Sequence, residues 1–84
     1  MGIREYFQSQ DIAYQNYDFE AIIMAALRQA DTENYAKLQE AFPEIQDELM
    51  RRYNATGGVL DRSEVRFAAK RLKIKESEFH NIPE

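Results

Sequence analysis

Apolar residues recur every three to four positions along most of this chain, and that period is helical rather than extended. Ile3, Tyr6, Phe7 and Gln10 fall on one face and predict a short helix over 3–10. The next stretch, DIAYQNYDF at 11–19, has no clear period. It reads as a linker held on the core by Ile12, Tyr14 and Tyr17. Phe19, Ile22, Ile23, Ala26, Leu27 and Ala30 then follow a three–four pattern. Asp18 precedes them as a cap residue, and the alanines at 21, 25, 26 and 30 favour helix. Small residues on this face would let another helix approach closely, and Met24 lies off the stripe.

The stretch from Asp31 to Gly58 carries the densest set of signals. Asp31 can cap a helix with its carboxylate, and Glu33 puts negative charge in the first turn, where the helix dipole favours it. Tyr35, Leu38, Phe42, Ile45 and Leu49 recur at spacings of 3, 4, 3 and 4, which is one helix face. Pro43 interrupts that stripe. It has no amide hydrogen, but it suits the first position of a new helix. The prediction is a helix over 32–41, a tight corner, and a helix over 43–54. Arg51 and Arg52 near its end complement the dipole. Gly57 and Gly58 supply the positive φ that a helix exit commonly needs.

Further on, Asp61 and Glu64 have capping-box spacing, and Leu60 stands where it could staple onto Val65. A helix from Arg62 to about Leu72 would bury Val65, Ala68, Ala69 and Leu72, with Phe67 on neither stripe. Residues 76–82 predict a last turn or short helix that holds Phe79 and Ile82 against the body and stops at Pro83. There is no internal repeat and no strand-like alternation. The pattern therefore predicts an all-α fold, a small bundle of four to five short helices with a break at Pro43.

One resemblance rests on Leu27-Arg28, Ala30-Asp31, Asn34, Lys37-Leu38, Ala41-Phe42-Pro43-Glu44, Arg52-Tyr53-Asn54-Ala55 and Gly57-Gly58. These pieces cover about a third of the chain, judged against its full length. The segment resembles small uncharacterised proteins of conjugative elements and prophages of Gram-positive bacteria. The resemblance implies a mobile-element accessory protein and brings no catalytic residues with it.

With 84 residues, the chain is expected to be a single small helical domain over 1–84, with 1–17 loosely packed. A chain this short buries only about 60–65% of its unfolded surface. It has no cysteine, so neither a disulfide nor a thiolate metal site is open to it. Its longest apolar run, AIIMAAL at 21–27, is far below the ~20 residues of a membrane span. MGIREYF shows neither a secretion signal nor a myristoylation motif. The expectation is a cytoplasmic protein without membrane attachment.

Charge is divided along the chain, although the total is only −4. Residues 1–50 hold three basic and ten acidic side chains, residues 51–75 hold eight basic and two acidic ones, and the tail holds three acids. Such a split points to nucleic acid or an acidic partner, or to halves that attract each other, or to two solvated faces.

No set of residues predicts catalysis. His80, the single histidine, has no partner of the kind a general base needs, and a packed or surface tail histidine is the commoner role. No phosphate loop, nucleophile elbow or metal motif is present, and no cofactor is expected. Glu44, Asp47 and Glu48 lie on helical spacing, where Arg51 and Arg52 can pair with them. The basic residues Arg62, Arg66, Lys70, Arg71 and Lys73 form the candidate binding set. The stretch from Glu64 to Phe79 looks something like a helix-turn-helix, with Ile74 plugging the turn and a second helix beginning near Glu76. Its turn has no glycine and its second helix is short and acidic. If nucleic acid binds, those five side chains are the expected phosphate contacts. The leading expectation is a non-enzymatic protein-interaction module with a protein partner. Aromatic residues outside the clean stripes motivate it: Tyr6, Tyr14, Tyr17, Tyr53 and Phe67. The competing reading makes those tyrosines lids on a small core, with their hydroxyls left wet.

Overall fold

The computed structural model describes residues 2–80 and 82. Its fold is all-α, with five α-helices and no strand among the described residues. The chain divides into two compact units, Met1–Ala41 and Phe42–Glu84. The boundary falls beside Pro43, the predicted break.

The first unit holds α1 (Ile3–Tyr14), α2 (Phe19–Gln29) and α3 (Thr32–Ala41). Helix α1 is four residues longer than its predicted end at 10. Gln10 to Tyr14 contain no helix breaker, so the first turns simply propagate. The helix stops where Asn16 turns left-handed, at φ 57°, a conformation asparagine tolerates. The expected linker packing does not form: Ile12, Tyr14 and Tyr17 are all exposed. Helix α2 buries Ile23 and Leu27, two of the six residues of the expected stripe. Phe19 and Ile22 at the outer edges of that stripe remain exposed. Asp18 takes the cap position without a side-chain hydrogen bond. Asp31 does cap α3, its Oδ1 accepting from the Asn34 amide at 2.8 Å. Helices α2 and α3 pack together.

The second unit begins with α4 (Pro43–Tyr53), in which Pro43 stands at the first helical turn after Phe42. A 3-10 turn follows at Thr56–Gly58 and a second at Arg62–Glu64. Helix α5 (Val65–Leu72) comes next, and a third 3-10 turn closes at Glu76–Glu78. Val59, Val65, Ala69, Phe79 and Ile82 form the core cluster, with Ala68 packed against it. Phe79 and Ile82 are buried as the spacing predicts; the stop at Pro83 lies outside the described residues. Leu72 is half exposed rather than buried, because α5 ends there and nothing covers its outer side. Asp61 accepts from the Ser63 amide at 2.9 Å, so the cap exists. Glu64, its capping-box partner, takes a bond from the Asp61 backbone but is held chiefly by Arg52 and the Leu60 amide.

Candidate functional site

The second unit is tied together by Arg52, which projects from α4. Its Nη1 donates to the Gly58 carbonyl oxygen at 2.8 Å and to Glu64 Oε1 at 2.9 Å. Its Nη2 donates to Glu64 Oε2 at 2.8 Å, and its Nε to Glu48 Oε2 at 2.9 Å. This is a planar fork used in both directions, the geometry that distinguishes arginine from lysine. Glu64 Oε1 also accepts from the Leu60 amide at 2.9 Å. Hydrogen bonds from Arg52, and then from the Leu60 amide, hold the Glu64 carboxyl down at about 2. The same bonds to Glu64 and Glu48 raise the Arg52 guanidinium. Arg52 is thus a clasp between α4, the glycine turn and the start of α5. Arg51 pairs with Asp47 at 3.1 Å, so two of the three clustered acids of α4 are occupied by arginines one turn away.

The candidate basic residues do not form one patch. All five are exposed. Arg66, Lys70 and Lys73 line one shallow groove of about 620 Å³, together with Lys75, Ile74 and a single acid, Glu76. Arg71 lies on another side of α5. It lines a second groove of about 380 Å³ with Phe67, Leu72, Gly57 and the Arg52–Glu64 clasp. Arg62 lies in the 3-10 turn before α5 and lines neither. None of the five forms an ion pair or side-chain hydrogen bond among the described residues. Lys75, near the basic stretch in sequence but outside the predicted set, belongs to the first groove.

The helix-turn-helix likeness is corrected in two places. The segment after the turn is one 3-10 turn of three residues, Glu76–Glu78, too short to lie along a DNA groove. Ile74 does not plug the turn but is 39% exposed. The turn itself is made without glycine by Lys73, which adopts φ 59° and ψ 44°. The Ile74 amide then donates to the Ala69 carbonyl at 3.0 Å, a helix-ending bond that a left-handed residue permits.

The aromatic residues off the core stripes give a clearer result. Tyr6, Tyr14, Tyr17, Tyr53 and Phe67 are each between 58% and 90% exposed. A lid keeps one face of its ring on the core; Tyr14, Tyr53 and Phe67, at 73–90% exposed, are well beyond that, while Tyr6 and Tyr17 stand nearer to it at 58% and 60%. Helix α1 goes further: none of its residues is buried. His80 is exposed at the rim of a small hollow with Asn54, Thr56 and Leu60; its neighbour Asn81 lies outside the described residues. Among the described residues no group of three or more His, Asp or Glu is placed to hold a metal ion, and no helix is long and apolar enough to cross a membrane. No family model, curated protein or solved structure matches the chain.

Proposed function

We propose that this chain is a non-enzymatic protein-interaction module serving as an accessory protein of a mobile element. One observation carries the reading: the five aromatic side chains outside the core stripes all stand in solvent. Tyrosine and phenylalanine in water are costly surface, and binding patches are where proteins collect them. The partial resemblance of the 27–58 segment supports the accessory role. The test is photo-crosslinking in the source cells, with a benzophenone amino acid replacing Tyr14, Tyr53 or Phe67 in turn. The reading expects discrete heavier adducts from at least one position. No adduct at any of the three would contradict it.

A second reading has its own support. Arg66, Lys70, Lys73 and Lys75 share one groove with a single acid, Glu76, and none of the four has an ion-pair partner among the described residues. Four cations at that density suit the phosphates of a nucleic-acid backbone. Fluorescence anisotropy with a mixed-sequence DNA duplex, at low and at moderate salt, decides this reading. It expects micromolar binding that weakens steeply with salt; no binding at low salt removes it.

A further inference from the structure

Resting on the interaction-module reading, we propose that α1 is a self-association surface whose apolar face pairs antiparallel with α1 of a second copy of this chain. Helix α1 is the element that most needs a partner. It is 12 residues long and buries no side chain; its only neighbour among the described residues is α2, beside which Ile12, on the side away from this face, borders a groove with Ala21, Ile22 and Ala25. Isolated helices shorter than ~12–15 residues are marginal in water. The helix therefore needs its face covered.

The face is coherent. Ile3, Tyr6, Phe7, Gln10 and Tyr14 lie on one side at 100° per residue. Tyr6 and Phe7 are already set edge to face, with centroids 5.7 Å apart. Gln10 Nε2 donates to the Tyr6 hydroxyl at 3.4 Å. Ile3, Tyr6, Phe7 and Tyr14 are 55–90% exposed, and such side chains offer roughly 100–150 Å² each at that exposure. Their apolar surface is then on the order of 400–600 Å². That upper bound stays below the ~800 Å² per partner of a standard interface, and suits a reversible pair rather than a permanent one.

Charge selects a second copy laid antiparallel. Arg4 and Asp11 are seven residues apart and stand on the same flank of the apolar face. When two helices pair antiparallel about a two-fold axis, the same flank of each meets the other. With the axis between Phe7 and Gln8, Arg4 of one copy faces Asp11 of the other, and the contact occurs twice. Tyr6 and Phe7 of both copies meet at the centre, and Ile3 sits level with the gap between Gln10 and Tyr14 of the second copy. Neither Arg4 nor Asp11 has an ion-pair partner in its own chain among the described residues. Parallel pairing about a two-fold axis would put the Arg4–Asp11 flanks on opposite sides of the interface, so that neither charge meets its opposite. A lipid surface fits poorly, because helices that lie on membranes carry lysine and arginine on the polar face, and α1 offers Arg4 against Glu5 and Asp11.

The test is sedimentation velocity on the full chain across a concentration series. A reversible monomer–dimer equilibrium is expected. Arg4→Asp and Asp11→Arg should each weaken the dimer roughly tenfold, because two attractive contacts become repulsive. An equimolar mixture of the two variants should restore the natural affinity, since each charge then faces its opposite. That rescue also shows that both variants remain folded. A monomer at several hundred micromolar overturns the proposal, and so does a mixture that associates no better than either variant alone. If the chain is monomeric but still forms crosslinked adducts from Tyr53 or Phe67, only the self-pairing fails and the interaction module stands.

Discussion

Gly57 occupies a place where a side chain does not fit. Its φ is +60°, and an added Cβ would lie 2.6 Å from Cε1 of Phe79, a ring buried in the core of the second unit. Gly58 shares the left-handed backbone at φ +76° but has open space, its nearest neighbour being a carbonyl oxygen 4.0 Å away. The two glycines separate backbone strain from steric overlap. Gly58→Ala should cost roughly 1–2 kcal/mol, from the left-handed conformation alone. Gly57→Ala adds overpacking and should cost roughly 2–4 kcal/mol. Urea denaturation of the two variants checks this; equal losses would mean that Phe79 yields to the methyl group. The positive φ of this pair was readable in the sequence because glycine announces it. The left-handed Lys73 and Asn16 were not, since side chains there mask the conformation. The end of α5 therefore looks unsuited to a turn in the sequence, whereas the early predicted end of α1 follows from the loss of apolar period after Gln10, which does not stop a helix.

At the scale of elements, the second unit depends on the Arg52–Glu64 clasp. Glu64 titrates near 2 in the folded chain, against an ordinary 4.5. Its contribution to stability is therefore full above about pH 4.5 and is lost as the pH falls from there toward 2. Glu64→Gln should flatten the fall in urea midpoint over that window and lower the midpoint at pH 7. An unchanged acid profile in the variant would show that other carboxylates control acid unfolding. Parts of this arrangement were legible. Arg51–Asp47 and Arg52–Glu48 are pairs one turn apart, which spacing alone suggests. The link from Arg52 to Glu64 spans twelve residues and a glycine turn, and no local rule reaches that far. The cap spacing of Asp61 and Glu64 shows the sequence neighbours of Glu64, whose carboxylate does take a bond from the Asp61 backbone, but not its spatial neighbour Arg52. Pro43, Asp31 and the buried positions Leu49, Val65, Ala69, Phe79 and Ile82 were read correctly, because each depends on a local period or a local backbone constraint. The basic residues followed the helical count only in part. Arg66, Lys70 and Lys73 share a side, while Arg71 is turned to the Phe67 groove.

Across the molecule, buried residues are few and unevenly shared. Among the described residues two of the eight, Ile23 and Leu27, belong to the first unit, and the other six to the second. The aromatic side chains outside the stripes contribute little to either core, and this is what turns the account toward binding rather than packing. Which partner they meet could not be read in advance, because a periodicity reports the face a helix buries in its own chain and is silent about the face it offers to another. The central claim is that these aromatics are surface held for contact and not lids on a small core. The most direct measurement is the thermal midpoint, by circular dichroism, of a chain carrying Tyr53→Ser and Phe67→Ser together. Serine has nearly the helix propensity of tyrosine and phenylalanine, so helix formation itself is little affected. The account predicts a midpoint within roughly 3 °C of the natural chain. A loss of about 10 °C or more would contradict it, because the rings would then be supporting the fold.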